Sequence, residues 1–127
     1  QQSSRPNFAI LVYPVITMRE GTHKGSRRNL LGAEPGDELI KRYSNELHIT
    51  ERTPPTYLAH AIDDYVVPAS NSEKFYKALA EKKVVSKYLP LPRGGHGLNG
   101  YKGPMWDAWQ AQSMDWLDQL LKSSSKN

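Results

Sequence analysis

Seven residues near the start of the chain, Asn7-Phe-Ala-Ile-Leu-Val-Tyr13, form a continuous apolar run that ends at Pro14. A strand with one face in water alternates apolar and polar residues, whereas an unbroken run is what a strand covered on both faces requires. Asn7 to Tyr13 therefore reads as a central parallel strand. A second run, Thr56 to Ile62, follows the Pro54-Pro55 pair, which stops any preceding helix and favours extended backbone. A third segment, Val84 to Leu91, alternates enough to suit an edge or half-covered strand.

The segments between these runs have a different period. Val15 to Gly36 is rich in Gly, Arg and Thr, with Leu30-Leu31 its one apolar pair, and reads as a long loop. Asp37 opens a short helix ending near Asn45, with Leu39, Ile40 and Tyr43 as the expected buried stripe. A longer helix runs from about Asn71 to Lys83, setting Phe75, Ala78 and Leu79 opposite a charged face. After a glycine-rich loop, Arg93 to Gly100, Pro104 suits a first helical turn. The final helix aligns Trp106, Trp109, Ser113, Trp116, Leu117 and Leu120. The Ser/Lys tail from Lys122 to Asn127 is expected to fray. Strands alternating with helices in this order imply an α/β fold, a sheet of mainly parallel strands with flanking helices and right-handed crossovers.

Composition narrows the function classes. At 127 residues the chain has the length of one domain, and the absence of cysteine excludes disulfides, thiolate metal sites and cysteine nucleophiles. The net charge of +4 raises the question of nucleic acid, but the basic residues are scattered among acids. The densest stretch, His23 to Arg28, also lacks the aromatics of a stacking platform, so no nucleic-acid partner is expected. No apolar run is long enough to cross a bilayer, so no membrane partner is expected either. The four histidines show no ligand spacing, and no metal site is expected.

In an open α/β sheet, ligands bind beyond the carboxyl ends of the strands. Asp63-Asp64 follows the second strand and His96, flanked by glycines, follows the third; loops after successive strands can bring an Asp and a His together across 32 positions. A carboxylate beside an imidazole fixes its tautomer and stabilises the imidazolium formed when it takes a proton. The bland readings are a turn or capping role for Asp64, a solvated or turn-bonding Asp63 and an ordinary loop His96. His60 reads as a packed core histidine, and His23 and His48 as surface residues. The tryptophans read as core, Trp106 alone being placed to border a substrate cleft.

The segments His60 to Pro68, Asn71-Ser72 and Gly94-Gly-His-Gly97 resemble the acid and histidine loops of α/β-hydrolase esterases. Arg5 to Pro14 resembles that family's strand before a lid-like loop, and Gly25 to Gly32 the loop itself. Within that family the chain is similar to the bacterial carboxylesterase branch that includes acetyl xylan esterases. The resemblance implies that the catalytic acid is the Asp of D-x-x-V-P, Asp64, and the general base the His of G-G-H-G, His96. It implies a serine-type carboxylic ester hydrolase that deacetylates carbohydrate esters and acts on small ester or acylated-carbohydrate substrates without a cofactor. It leans towards a secreted or periplasmic protein.

The chain departs from the family in one respect. It contains no G-x-S-x-G elbow, and Ser26, Ser44, Ser70, Ser72, Ser86 and Ser113 all lack the strand-to-helix turn that exposes a nucleophile. The expectation is that residues 1–127 are the C-terminal part of one α/β-hydrolase domain. A complementary N-terminal half would carry the serine and meet the edge of the Asn7 to Tyr13 strand. A non-catalytic α/β binding module and a serine peptidase of the same fold remain the alternatives.

Overall fold

A computed structural model describes residues 2–125. Three strands, β1 (Ala9–Val12), β2 (Thr56–Ala61) and β3 (Ser86–Leu91), form a parallel sheet in the order β1-β2-β3. Ala9 pairs with Thr56, and Thr56 in turn with Ser86. The helices are α1 (Lys24–Leu31), α2 (Asp37–Tyr43), α3 (Ser70–Glu81), a short turn α4 (Leu98–Tyr101) and α5 (Pro104–Ser125). No described helix is long and apolar enough to cross a membrane.

The middle strand is β2, all six of whose residues are buried. Its alternate residues serve two cores. Leu58 packs with Ile16, Ile49, Phe75, Leu79 and Val84 on the α3 face, while Tyr57, Ala59 and Ala61 pack with Leu91, Leu98 and Trp116 on the α5 face. The predicted stripes of α3 and α5 are those that face the sheet.

Four expectations need correction. β1 has apolar cover on both faces, Leu11 on one and Ile10 and Val12 on the other, but it lies at a sheet edge and is half-buried rather than central. The supposed loop from Val15 to Gly36 contains α1, whose first turn is capped by His23 Nδ1 accepting from the Ser26 N–H at 3.1 Å. None of α2 is fully buried, and Leu39 and Tyr43 are exposed. The tail is helical through Ser125, with Ser123 and Ser124 hydroxyls donating to the carbonyls of Gln119 and Leu120. The rest of the fraying expectation, at Lys126 and Asn127, lies outside the described residues.

Candidate active site

Both loops named by the sequence meet at the carboxyl end of the sheet. After β2 the chain turns at Ile62, whose N–H continues the ladder to the Leu91 carbonyl at 2.8 Å. This carries Asp64 towards the loop after β3. One carboxylate oxygen, Oδ1, accepts from the N–H groups of Val66 (3.0 Å) and Val67 (2.9 Å), an Asx-type turn that fixes the side chain. The other, Oδ2, accepts from His96 Nδ1 at 2.8 Å. One oxygen of Asp64 thus serves the turn and the other meets His96. The capping role does not hold: the N-cap of α3 is Ala69, which makes no side-chain cap bond.

Asp64 is buried while His96 keeps 35% of its side chain accessible. Burial pushes the Asp64 carboxyl up, but the hydrogen bonds from His96 and from the Val67 and Val66 amides outweigh it and hold the group below its ordinary value. An ionised carboxylate only accepts, so Nδ1 carries the proton and Nε2 is left as a lone-pair acceptor. No described residue bonds to that Nε2.

Asp63 acts across loops rather than within its own turn. Its oxygens accept from the N–H groups of Gly95 (2.9 Å) and Gly94 (3.3 Å), tying the histidine loop to the acid loop. Gly94 is required where it stands, because φ is +119° and a Cβ would lie 3.2 Å from Leu98 Cα. Beyond His96 the backbone stays at positive φ for five residues: Gly97 (85°), Leu98 (50°), Asn99 (60°), Gly100 (72°) and Tyr101 (64°). α4 is therefore a left-handed turn, which costs about 1–2 kcal/mol for each residue with a Cβ. Its anchors are the fully buried Leu98 and the N–H bonds of Asn99 to Gly94 O and Tyr101 to Gly97 O, both 2.8 Å.

Two residues near the pair had no assigned part in the sequence reading. His60 is a buried core histidine as expected, but it also stands behind the acid. Its Nε2 lies 2.8 Å from the Val67 carbonyl and 3.2 Å from Asp64 Oδ2, and its Nδ1 lies 2.7 Å from Ser72 Oγ. A carbonyl only accepts, so Nε2 is the donor and Ser72 donates to Nδ1. Burial lowers the proton affinity of His60, outweighing the Val67 carbonyl and Asp64, so the close approach to Asp64 is a hydrogen bond from a neutral ring rather than an ion pair. The resulting Ser72-His60-Asp64 string has the members of a triad but is fully buried on its Ser and His, out of reach of any substrate. The signal for His60 was available in the period of two along β2, which sets it on the α3 face with Leu58. The second residue, Tyr13, lies just after β1 with φ +42° and meets His96 edge to face, ring centroids 4.7 Å apart.

A cleft of about 440 Å³ is lined by Arg19, Glu20, Glu46, Lys74 and Glu81 among others, and includes neither Asp64 nor His96. Its walls hold charged side chains, and the Asp64–His96 hydrogen bond lies outside it.

Residues 7–124 match the prolyl oligopeptidase family. The chain belongs to this family. It is 42% identical over 95% of its length to endo-1,4-beta-xylanase B of Butyrivibrio fibrisolvens, spanning 19% of that protein. It is 36% identical over 94% of its length to the acetylxylan esterase of Xylanibacter ruminicola, spanning 25% of it. The chain thus spans a quarter or less of these curated relatives. Among solved structures, the acetyl ester-xyloside bifunctional hydrolase from Caldicellulosiruptor lactoaceticus superposes with a TM-score of 0.87 and 34% identity, covering 91% of this chain and 43% of that one. The carboxylesterase Cest-2923 from Lactobacillus plantarum, at 22% identity and a TM-score of 0.75, shares the fold and is matched over 46% of its length. The three parallel strands and their helices are part of an α/β-hydrolase sheet.

Proposed function

We propose that residues 1–127 are the C-terminal part of one α/β-hydrolase domain in a serine-type carboxylic ester hydrolase, with Asp64 as the acid and His96 as the general base. The observation that carries this reading is the 2.8 Å hydrogen bond from His96 Nδ1 to a buried carboxylate, which leaves Nε2 accessible as a base. The nucleophile belongs to a G-x-S-x-G elbow in a complementary N-terminal portion. As its oxygen attacks the ester carbonyl carbon, the serine proton passes to Nε2, and Asp64 stabilises the imidazolium. Nε2–H then protonates the departing alkoxide. In deacylation Nε2 takes a proton from water as the water oxygen attacks the acyl carbon, and returns it to the serine. Support for acetylated carbohydrate as the substrate comes from the names of the relatives, an acetylxylan esterase and an acetyl ester-xyloside hydrolase.

A serine peptidase is the second reading, favoured by the family's name. Acetylated xylan and p-nitrophenyl acetate assayed against peptide anilides separate the two. In the complete polypeptide, His96→Ala lowers kcat on the order of 10⁴- to 10⁶-fold. Asp64→Asn lowers it on the order of 10⁴-fold, because an amide N–H facing Nδ1 moves the imidazole proton to Nε2. Full esterase activity in His96→Ala overturns the assignment. A gene that encodes no serine elbow upstream of Gln1 favours a non-catalytic binding module.

A further inference from the structure

The aromatic residues around His96 are held by strained backbone at two separate places. Tyr13, at the end of β1, adopts φ +42° and sets its ring against the imidazole at 4.7 Å. Tyr101, at the end of the left-handed turn α4, adopts φ +64° and folds back over Gly97, where a Cβ would stand 3.6 Å from its ring and 3.9 Å from its hydroxyl. The ring of Tyr101 also stands edge-on to that of Trp106, with centroids 5.2 Å apart. Burial raises the Tyr13 hydroxyl above its ordinary value, and Tyr101 adds to the shift.

Packing does not account for Tyr101. Within this chain Tyr101 is 64% exposed, so little apolar surface is buried here in exchange for a backbone conformation that a glycine would hold without strain. Strain retained at an exposed aromatic residue, five positions after the candidate base, points to a ligand.

The chemistry of the base says which part of the ligand. His96 Nε2 hands its proton to the departing alcohol, so the alcohol oxygen has to pass within hydrogen-bond reach of the imidazole. The groups flanking that imidazole then border the alcohol side of the ester rather than the acyl side. A phenol offers an apolar face and a polar rim together. A pyranose ring matches it, with C–H faces above and below and hydroxyls around its edge.

We infer that Tyr13 and Tyr101 form the alcohol-side subsite, an aromatic platform that takes a sugar ring of the acylated substrate beside His96. This rests on the esterase reading above and adds which residues confer preference for carbohydrate over simple esters.

The test uses the complete polypeptide with two probes, acetylated xylobiose and ethyl acetate, whose alcohol has no ring. The readout is the ratio of kcat/KM for the first over the second. In Tyr101→Ala that ratio falls at least tenfold, through a higher KM for the sugar ester, and Tyr101→Phe retains most of it because the ring is kept. Tyr101→Asn, which tolerates positive φ, reproduces the loss and serves if the alanine variant fails to fold. A ratio within twofold of wild type in a folded Tyr101→Ala or Tyr101→Asn overturns the subsite. Failure of the underlying reading has another signature: His96→Ala then hydrolyses both probes at the wild-type rate.

Discussion

Asn71 offers a direct test of how the site is braced. The side chain is fully buried at the start of α3. Its Oδ1 accepts from the N–H groups of Ile16 (3.0 Å) and Thr17 (3.1 Å), and its Nδ2 donates to the carbonyls of Gly21 (2.9 Å) and Pro68 (3.0 Å). An amide has two acceptor sites and two donor protons, and all four are used. One side chain thus pins the segment after β1, which carries Tyr13, to the segment after β2, which carries Asp64. In Asn71→Ala the Ile16 and Thr17 amides lose their partner where water cannot replace it, since both residues are buried. Each orphaned buried group costs about 1–3 kcal/mol, which sets a floor of about 2 kcal/mol from the two amides. The Gly21 and Pro68 carbonyls are half-buried and add less, bringing the expected loss to about 4 kcal/mol. Urea denaturation of the complete polypeptide reads it as a drop in unfolding free energy. Asn71→Asp keeps the acceptor but turns a carboxylate oxygen towards two carbonyls, and loses at least as much despite its matching shape. A loss under about 1 kcal/mol in Asn71→Ala refutes the bracing role, because even one buried amide without a partner exceeds it.

Two further outcomes follow from the geometry. Burial keeps His60 neutral in the folded state, while the unfolded side chain takes a proton near pH 6.5. Its stabilising contribution is therefore complete above about pH 6.5 and is lost as pH falls through the lower folded value, whereas that of Asp64 persists to about pH 4 before being lost through its own depressed value. The difference in urea midpoint between wild type and His60→Gln shrinks as pH is lowered from 7 to 5; a constant difference contradicts a neutral buried ring. In α4, Asn99→Gly is neutral or stabilising by up to about 1 kcal/mol, whereas the β-branched Asn99→Val destabilises by about 1–2 kcal/mol. Thermal unfolding measures both, and equal effects would remove the case for a strained left-handed turn.

What the sequence disclosed follows the strength of its local signals. β2, β3, α3 and α5 carry their period in residues that face a core, so apolar spacing is enough to place them. Asp64 was singled out from Asp63 by the family pattern around it, and it is Asp64 whose carboxylate lies 2.8 Å from His96 Nδ1. α1 was hidden because none of its residues is buried and its cap is a histidine rather than Ser, Thr, Asp or Asn. The stripe expected on α2 was mistaken because apolar spacing says which residues share a face, and not that another element covers it. Left-handed backbone at Tyr13, Leu98 and Tyr101 leaves no trace in residue type, since none of these side chains favours it. The part His60 plays behind the acid depends on where the turn after β2 returns, which is a tertiary fact.

An all-parallel sheet also dictates an order of assembly. No two neighbouring strands are joined by a hairpin: Thr56 finds Ser86 across 30 positions, and Ala9 finds Thr56 across 47. Loop closure alone makes the second pairing harder by about 0.4 kcal/mol, and it joins four residue pairs where the first joins six. β2 and β3 thus zip together around α3 before β1 docks. On the ribosome Ala9–Val12 is made before Thr56–Ala61, so the edge that β1 turns to β2 stays unpaired until some fifty further residues follow. Of these three strands, the one that brings Tyr13 to the imidazole is thus the one whose β2-facing edge nascent-chain chaperones would be expected to shield longest.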